Sequence, residues 1–317
     1  MRTFLFLIFL CFTGNSFILA QQIHQYTQYM FNQYSHNPAV GGSKECMDVK
    51  IGYRIQWVGF ESAPQTGYGS IYSRLKSKRQ DPLEGYHGIG IYIENDETLP
   101  SSRTYIYPSY AYHQPLNQKI TASAGIFAGI QQYKFKIDDI TLFDPVDNAI
   151  NGSKSIIVKP DISVGLWLYG EDFYGGIAAK QLLSKKIEDG SEQFGIDSRI
   201  VKHYNLTTGY KITGRKQISY IPSVMIKYLA SAPVAIDINC MADFKNRLTL
   251  GLSYRNKDAI AALVKFKLFK YFDLGYSYDY SISKIRIASS NTHEITLGIY
   301  DCMKDSFKRE KNCPAYD

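Results

Sequence analysis

Several classes of protein are excluded by what the sequence lacks. Beyond its first residues, the 317-residue chain has no apolar run near the roughly 20 residues that a membrane-spanning helix needs. A hydrophobic fraction of 45% and a charged fraction of 21% are unlike those of a disordered chain. Lys and Arg give a net charge of +7 but occur singly along the sequence, without the basic cluster typical of nucleic-acid binding.

Motifs of enzyme and metal sites are missing as well. The 6 histidines are dispersed, and the sequence contains neither a Cys-x-x-Cys pair nor a Gly-x-Ser-x-Gly motif. The sequence therefore predicts no enzyme, no cofactor and no metal site. An active site assembled from distant strands is the alternative, because it would leave no local motif.

The amino terminus has the pattern of a secretory signal peptide. Arg2 precedes an apolar stretch over Phe4–Phe12, and Ala20 ends a run of small and apolar residues. The alternative, a membrane-anchoring helix, needs a longer apolar stretch. Residues 1–20 are therefore predicted to be removed on export, which places the mature chain outside the cytoplasm.

Apolar and polar residues alternate along most of the remaining sequence, which is the period of a β-strand. From Phe272 to Tyr280 every even position is large and apolar or aromatic, and every odd position is small or polar. Most such segments run roughly 10 residues, the length of a tilted strand that crosses a bilayer. Fourteen segments have this pattern: 48–57, 65–75, 86–94, 104–114, 119–131, 159–169, 172–181, 200–212, 218–229, 235–244, 246–255, 259–268, 271–281 and 291–300.

The connections between these segments tend to be long after odd-numbered strands and short after even-numbered ones, as in outer-membrane barrels. The long ones include 95–103, 132–158, 182–199 and 282–290. Three connections depart from the pattern, because 77–85 is longer than expected and 230–234 and 256–258 are short. We therefore predict an all-β fold, a transmembrane antiparallel β-barrel of about 14 strands. A soluble secreted β-protein is the alternative, because its strands also alternate.

Tyrosines on two of the strands support a barrel. A tyrosine ring is well placed at a membrane interface, where its ring contacts lipid and its hydroxyl contacts water, and such rings form the aromatic girdles of membrane barrels. Ordinary aromatic pairing between neighbouring strands is the alternative, and both explanations can hold together. The candidate girdle residues are Tyr105, Tyr107, Tyr110, Tyr112, Tyr276, Tyr278 and Tyr280.

The segment after the predicted signal peptide does not alternate. It contains Gln25-Tyr26-Thr27-Gln28-Tyr29-Met30-Phe31-Asn32, followed by Asn37-Pro38-Ala39-Val40-Gly41-Gly42-Ser43. A proline and paired glycines favour an irregular segment that packs on or inside another part of the molecule.

These motifs resemble those of the PorP/SprF family of type IX secretion proteins. They are followed, in the family's order, by Tyr53-Arg54-x-Gln56-Trp57-x-Gly59, Pro64-x-Thr66, Ser253-Tyr254-Arg255, Gly275-Tyr276-Ser277-Tyr278-Asp279 and His293-Glu294-Ile295-Thr296-Leu297. The resemblance covers essentially the whole mature chain. The long connection 132–158 and the cysteine-bearing tail depart from the family's usual pattern.

The resemblance implies a bacterial outer-membrane β-barrel of the Bacteroidetes group, without catalytic activity, in the type IX secretion or gliding-motility machinery. The hatch motif Asn37, Pro38, Ala39, Gly41 and Gly42 is also similar to the amino-terminal hatch of barrels like FadL, a fatty-acid transporter with fourteen strands. The implied partners are a periplasmic peptidoglycan-binding (OmpA-like) protein, a secreted surface protein or adhesin with a type IX carboxy-terminal signal, other type IX components and outer-membrane lipid, with no nucleic acid.

The predicted organisation is a signal peptide (1–20), a hatch or plug segment (21–47), an outer-membrane barrel (48–301) and a periplasmic tail (302–317). The predicted role is to dock or anchor secreted surface proteins and link them to the periplasmic partner. The alternative is a FadL-like channel for lipids or small hydrophobic molecules, which would need an apolar lumen.

Charged residues on the predicted polar faces would point into the lumen of a closed barrel. They form either a contact surface for the hatch or a transported segment, or a satisfied lumen network. These residues are Arg54, Asp237, Asp243, Arg255, Asp273, Asp279 and Glu294. Tyr53 and Gln56 belong to the same family motif. Trp57, Gly59, Phe60 and Pro64 lie at the first outer turn, where they contact a partner or the membrane interface.

Four cysteines follow the predicted signal peptide. Cys46 precedes the first predicted strand, Cys302 follows the last and Cys313 lies in the tail, so all three lie at one rim of a closed barrel. One disulfide is expected there in an oxidising periplasm, Cys302 with Cys313 or Cys302 with Cys46. Cys240 lies on the apolar face of its strand and is predicted to be unpaired.

Overall fold

The structure, a computed structural model, describes residues 25–60, 62–75, 81, 83–135, 156–183, 201–214, 217–230, 232–269, 271–287 and 291–301. The predicted signal peptide, the predicted tail with Cys302 and Cys313, and most of the connections 132–158 and 182–199 lie outside these residues. Within the described ranges, no helix has both the length and the apolar character required to cross a bilayer.

The described residues form fourteen strands that close into one antiparallel barrel. The strands are β1 (Met47–Ile55), β2 (Gln65–Arg74), β3 (Tyr86–Thr98), β4 (Ser101–Pro115), β5 (Ile120–Phe135), β6 (Ile156–Gly170), β7 (Phe173–Lys180), β8 (His203–Tyr210), β9 (Ile218–Leu229), β10 (Ala232–Phe244), β11 (Leu248–Arg255), β12 (Ala259–Leu268), β13 (Phe272–Ser281) and β14 (Thr292–Asp301). A two-residue segment, Ile212–Thr213, continues β8 and pairs with β9. Pairing of β1 with β14, from Met47 opposite Asp301 to Ile55 opposite His293, closes the ring. The predicted all-β barrel of about 14 strands is confirmed.

The barrel follows from the alternation in the sequence, because successive side chains of a strand point to opposite faces. In β1 the outward-facing Ile51 and Tyr53 are exposed, whereas Lys50 and Arg54 are buried inside. Outward positions of the other strands are likewise apolar, among them Leu166 and Leu252. The apolar belt therefore faces away from the lumen.

Two predictions about individual strands are wrong. The predicted long connection 95–103 is a turn of two residues, Leu99–Pro100, because β3 and β4 extend beyond the predicted segments. These extensions carry polar residues on both faces, so the alternation ends while backbone pairing continues. Bonds such as that from Thr66 Oγ1 to Asp96 Oδ1, at 2.7 Å, support the extended pairing.

The tyrosines of β4 that were predicted to form a girdle lie on both faces of the strand. Tyr110 and Tyr112 are exposed on the outward face of β4, but Tyr105 and Tyr107 are buried inside the barrel. The odd and even positions of one strand cannot share a face, so these four tyrosines do not form one girdle. The inward-facing rings instead contribute to an aromatic core within the lumen.

The two ends of the barrel differ. We call the edge at which odd-numbered strands end the upper rim, and the edge at which β1 begins and β14 ends the lower rim. Most lower-rim connections have two to four residues, namely 116–119, 171–172, 214–217, 245–247 and 269–271, whereas 75–85 is longer. On the upper rim, the connection between β13 and β14 contains the 3-10 helix Lys284–Ile287.

The lumen is occupied by the residues that precede β1. Residues 25–46, which we call the hatch segment, contain three short 3-10 helices, Tyr29–Phe31, Gln33–Ser35 and Pro38–Val40. Every residue from Tyr26 to Lys44 is buried. The hatch segment begins beside upper-rim residues such as Lys227 and reaches the lower rim at Lys44, beside Asp48. It therefore passes through the lumen from one end to the other.

Candidate functional site

The Asn37-Pro38-Ala39 motif fixes the hatch segment to the wall formed by β6 and β7. Asn37 Nδ2 donates to the backbone oxygens of Leu166 at 3.0 Å and Ile177 at 3.1 Å. Its Oδ1 accepts from the Ala39 amide at 3.0 Å, which caps the 3-10 helix that begins at Pro38. The Asn37 side chain thus forms hydrogen bonds both to the barrel wall and to the first turn of the 3-10 helix that follows it.

Wall glycines allow this close approach. A Cβ at Gly165 would lie 1.9 Å from Asn37 Oδ1, one at Gly125 would lie 2.5 Å from the Ala39 nitrogen, and one at Gly88 would lie 2.1 Å from the Gly41 oxygen. No side chain fits at such distances, so the inward faces of β3, β5 and β6 form a recess for the motif.

Further hydrogen bonds hold the motif in the recess. Ser123 Oγ donates to the Ala39 oxygen at 2.7 Å, and His113 Nε2 lies 2.9 Å from the Gly41 oxygen. Gly42 has φ +88°, a conformation that residues with a Cβ rarely adopt. The second glycine of the pair therefore lets the chain turn away from the recess towards the lower rim.

A buried group of charges holds the other end of the hatch segment, near the upper rim. Arg54 is 1% exposed, and its guanidinium donates to Glu294 Oε2 at 3.1 Å and Asp279 Oδ2 at 3.0 Å. The same guanidinium donates to Thr27 Oγ1 at 2.7 Å. Arg54 thus joins β1, β13 and β14 to the hatch segment.

The network continues into β9, β10 and β11. Arg255 contacts Asp237 at 3.7 Å, Asp279 at 3.7 Å and Asp258 at 3.0 Å. Lys227 Nζ donates to Asp237 Oδ2 at 2.7 Å and to Gln25 Oε1 at 3.1 Å. We call this group the ionic lock; its members are Arg54, Lys227, Asp237, Arg255, Asp258, Asp279 and Glu294.

The hatch segment completes the lock with neutral groups. The Thr27 amide donates to Glu294 Oε2 at 2.8 Å, and Thr27 Oγ1 donates to Asp279 Oδ2 at 2.5 Å. Gln28 Nε2 donates to the Glu294 backbone oxygen at 2.9 Å, and Gln28 Oε1 accepts from Thr296 at 2.8 Å. Buried carboxylates are costly unless such donors satisfy them, so the hatch segment stabilises the charges that hold it.

Other hatch contacts reach β3 and β10. Tyr26 donates to Glu94 of β3 at 2.5 Å, and Asn239 of β10 donates to Tyr29 at 2.5 Å.

Lysines also fasten the hatch segment to the barrel wall. Lys50 of β1 donates to the Phe31 backbone oxygen, and Lys180 of β7 donates to the Ser35 backbone oxygen at 3.1 Å. Near the lower rim, Lys44 pairs with Asp48 at 2.7 Å. The hatch segment is therefore fixed along its length and at both ends.

The structure brings only some of the predicted site residues together. Arg54, Arg255, Asp279 and Glu294 meet in the ionic lock, together with Asp237, which was also predicted to face the lumen. The hatch residue Thr27 binds to this group. Asp273 lies apart, 4.0 Å from Lys265. Asp243 lies at the lower rim, where its carboxylate accepts from the Asn246 amide at 3.0 Å.

The remaining motif residues lie outside the lock. Tyr53 faces outward, because it is adjacent to the inward-facing Arg54, and its hydroxyl donates to Gln65 Oε1 at 2.5 Å. Gln56 is buried, and its backbone amide donates to the backbone oxygen of Pro64 at 2.9 Å. Trp57, Gly59, Phe60 and Pro64 form the β1–β2 turn at the upper rim, in which Trp57 and Gly59 have positive φ.

The described cysteines behave differently. Cys46 is disulfide-bonded, whereas Cys240 is free and exposed. The predicted partners Cys302 and Cys313 both lie outside the described residues, so the pairing stays a prediction.

Several residues that hold the hatch segment were not predicted. Glu94 lies on an inward face, but it comes at the end of a predicted strand, where alternation is weak. Asn37 was singled out in the motif, although its partners, backbone oxygens of β6 and β7, leave no trace in sequence. An acidic residue on a predicted inward face is the one signal that could have identified Glu94.

The arrangement can bind a polypeptide segment firmly. Wall carboxylates and backbone oxygens accept hydrogen bonds from the hatch segment, and glycines of the wall let its backbone approach closely. Among the described residues, no group of three or more His, Cys, Asp or Glu side chains is placed to hold a metal ion.

Comparisons with known proteins agree with this architecture. A family model described as type IX secretion system membrane protein PorP/SprF matches residues 18–299. No curated protein sequence matches the chain. The crystal structure of the Ralstonia pickettii toluene transporter TbuX is similar with a TM-score of 0.50 and 10% identity, over 86% of this chain and 92% of that one. A Pseudomonas aeruginosa FadL homologue is similar with a TM-score of 0.51 and 9% identity, over 89% and 95%. At such identities the structural likeness shows the fold alone.

Proposed function

The chain belongs to the PorP/SprF family of type IX secretion system membrane proteins, and from this premise we propose that it is a closed docking barrel rather than a conduit. The family places it in the outer membrane as a component of type IX secretion. In the proposed role, the barrel anchors a secreted surface protein, such as a gliding adhesin, and links it to a peptidoglycan-binding protein in the periplasm.

The observation that carries the proposal is the occupied lumen. All residues from Tyr26 to Lys44 are buried inside the barrel, and the ionic lock fixes them near the upper rim. A barrel whose lumen is filled by its own chain is suited to bearing load and presenting surfaces. Transport through the lumen would require the hatch segment to move.

The docking role assigns different partners to the two rims. The upper rim carries long connections and exposed apolar side chains, including Ile287, which is 94% exposed. Exposed apolar residues of this kind favour contact with another protein. We assign the secreted protein to the upper rim and the periplasmic protein to the lower rim.

The alternative of a channel for hydrophobic molecules has less support. The solved barrels with a similar fold include one named a toluene transporter, but the similarity to this chain is confined to the fold. In this chain the lumen side of β1, β13 and β14 carries charged residues that bind the hatch segment. A hydrophobic solute would find no apolar path along that side.

Purification from the native outer membrane tests the proposal. The tagged chain is extracted in mild detergent after brief cross-linking in cells, and mass spectrometry identifies what is recovered with it. We expect a large secreted protein and a periplasmic peptidoglycan-binding protein. A barrel recovered alone with bound fatty acid or another hydrophobe would overturn the docking role.

Two matched substitutions sharpen this experiment. Ile287→Ser at the upper rim is expected to reduce recovery of the secreted protein several-fold, since about 1–3 kcal/mol is typical of an exposed interface residue that matters. Leu83→Ser, which removes an exposed leucine at the lower rim, is expected to leave that recovery unchanged. Equal effects of both substitutions would contradict the assignment of the rims.

A further inference from the structure

Among the described residues, most exposed cations of the lower rim lie on one side of the barrel. Lys211 follows β8, Lys245 and Arg247 lie in the β10–β11 turn, and Lys267 lies near the end of β12. Lys245, Arg247 and Lys267 are exposed and Lys211 is half-buried. We call these four residues the basic strip. The same connections contain Arg215, Lys216 and Lys270, which lie outside the described residues.

The turns that carry the strip are joined side by side. The Lys245 amide donates to the Gln217 oxygen at 3.0 Å, and the Lys267 amide donates to the Arg247 oxygen at 2.9 Å. The strip therefore spans five adjacent strands, β8 to β12, which at about 4.8 Å between strands is roughly 19 Å of rim.

No member of the basic strip forms an ion pair within the described ranges. Three acidic residues lie nearby. The Lys211 amide donates to the Asp172 backbone oxygen at 2.6 Å, and Asp273 lies opposite Lys267 in the pairing of β12 with β13. Asp243 accepts from the Asn246 backbone amide at 3.0 Å and from Thr249 Oγ1 at 3.0 Å.

The next lower-rim turn reverses the sign of the charge. The β6–β7 turn consists of Glu171 and Asp172. Further round, the connection 75–85 mixes Asp81 and Glu84 with three cations that lie outside the described residues. The strip is thus confined to one side of the barrel.

Exposed aromatic rings border the strip on the outward face. Phe269, at the tip of the β12–β13 turn, is 87% exposed, and Tyr210, Tyr220, Tyr271 and Phe272 are also exposed. Aromatic rings with cations just beyond them are typical of the layer where lipid headgroups meet the hydrocarbon core. A phenylalanine as exposed as Phe269 is stabilised there and not in water.

From these observations we infer that the basic strip binds the phosphate groups of anionic glycerophospholipids, while the neighbouring rings contact the glycerol and upper acyl chains. The turn 245–247 has only three residues, so it stays within the headgroup layer, which adds about 5–7 Å to each side of the hydrocarbon core. A soluble partner would meet longer connections first. The inference concerns the lipid contact alone and does not depend on the docking role.

Lipid binding by the purified full chain tests the inference. Native mass spectrometry is carried out on delipidated protein to which phosphatidylglycerol or phosphatidylcholine is added, both with the same acyl chains. We expect phosphatidylglycerol to be retained preferentially, and the preference to shrink as salt is raised.

Variants then locate the contact. The triple variant K245Q/R247Q/K267Q is expected to bind phosphatidylglycerol about a hundred-fold more weakly, because each cation near an anionic surface contributes about five-fold. The matched control K119Q/K257Q/K284Q removes three exposed lysines elsewhere on the rims and is expected to keep the preference. Barrel folding in both variants is verified by their resistance to unfolding in unheated gel samples.

Two results would overturn the inference. One is equal retention of both lipids by the unmodified chain. The other is loss of a co-purifying acidic protein from the triple variant while its phosphatidylglycerol binding is unchanged, which would reassign the strip to a protein partner.

Discussion

Arg54 joins parts of the chain that are far apart in sequence. Its carboxylate partners Asp279 and Glu294 lie 225 and 240 positions away, and Thr27 lies 27 positions before it. A guanidinium can donate to several acceptors at fixed angles, which a lysine ammonium cannot reproduce. The residue therefore fixes the relative positions of three segments at once.

Replacing Arg54 tests the ionic lock at the scale of one residue. Arg54→Ala leaves Asp279 and Glu294 without a main partner, and we expect the free energy of unfolding to fall by about 3–5 kcal/mol. Denaturant unfolding from lipid vesicles measures this loss. We also expect protease cleavage within residues 25–46 while the barrel remains intact.

The matched control is Arg286→Ala, which removes an exposed arginine at the upper rim. It is expected to change the free energy of unfolding by about 0.5 kcal/mol or less. If Arg54→Ala leaves the hatch segment as resistant to protease as in the unmodified chain, the lock does not hold it.

Sequence predicts one side of the lock and not the other. Arg54, Asp279 and Glu294 follow from alternation, because their strands assign them to the inner face. Thr27 and Gln28 belong to a segment without a period, so nothing in the sequence shows which wall residues they contact. The family motif marks the segment but does not give its pairing.

At the scale of elements, the recess in the wall explains why small residues recur on the inner faces of β3, β5 and β6. Gly88→Ala would bring a Cβ within 2.1 Å of the Gly41 backbone oxygen, which cannot move without displacing the hatch segment. We expect a loss of about 1–3 kcal/mol and faster proteolysis of residues 25–46. Denaturant unfolding and limited proteolysis measure the two effects.

Gly69→Ala is the matched control, because the nearest atom to its Cβ is the Lys50 oxygen at 3.9 Å. It adds the same methyl group to a neighbouring strand without a close contact. An equal loss of stability in both variants would show that strand propensity, and not the recess, accounts for the effect.

The register of the closing strands gives a prediction about the disulfide. Met47 lies opposite Asp301, and Cys46 and Cys302 are the residues next to this pair in the sequence. Facing residues of an antiparallel pair have Cα atoms about 4.5–5.5 Å apart, which suits a disulfide. Since Cys46 is disulfide-bonded, we predict that its partner is Cys302.

Peptide mapping under non-reducing conditions tests this pairing. A peptide that links Cys46 with Cys302 is expected, and Cys302→Ser should release a free thiol at Cys46. A link between Cys302 and Cys313 in the unmodified chain would contradict the prediction.

Sequence predicts the elements better than their ends. Ten-residue alternation identifies the strands that cross the membrane, because one face must be apolar there. It fails in β3 and β4 above that belt, where both faces of Asn95–Thr98 are polar and the strands are held by backbone pairing and polar side-chain bonds. The predicted loop 95–103 was wrong for this reason.

The occupied lumen gives a prediction for the whole molecule. We expect the unmodified chain to show no steady conductance in planar lipid bilayers, because the hatch segment fills the lumen. Deletion of residues 26–44 should open a pore, since the charged inner faces of β1, β13 and β14 would then be hydrated.

Lys257→Gln, an exposed substitution in the β11–β12 turn, serves as the control and should leave the bilayer current at zero. Single-channel recording measures all three proteins under the same salt conditions. Equal currents with and without residues 26–44 would mean that the hatch segment does not obstruct the lumen.

Whole-molecule features are the least accessible to sequence analysis. The lysines and arginines of the basic strip are scattered between residues 211 and 267, so they form no cluster along the chain. Only the order of strands, with turns hydrogen-bonded to each other, brings them side by side. The net charge of the chain predicts neither their position nor their alignment.

The ionic lock also constrains the order in which the protein can be assembled. Thr27, near the start of the mature chain, is fastened by β13 and β14, the last strands to be synthesised. The amino-terminal end of the hatch segment therefore remains outside the ionic lock until the seam between β1 and β14 has closed. A seam closed in a shifted register would leave Arg54 and Glu294 on different levels of the lumen, with their charges unmatched. A barrel closed in the wrong register would therefore be left with the amino-terminal end of its hatch segment unfastened.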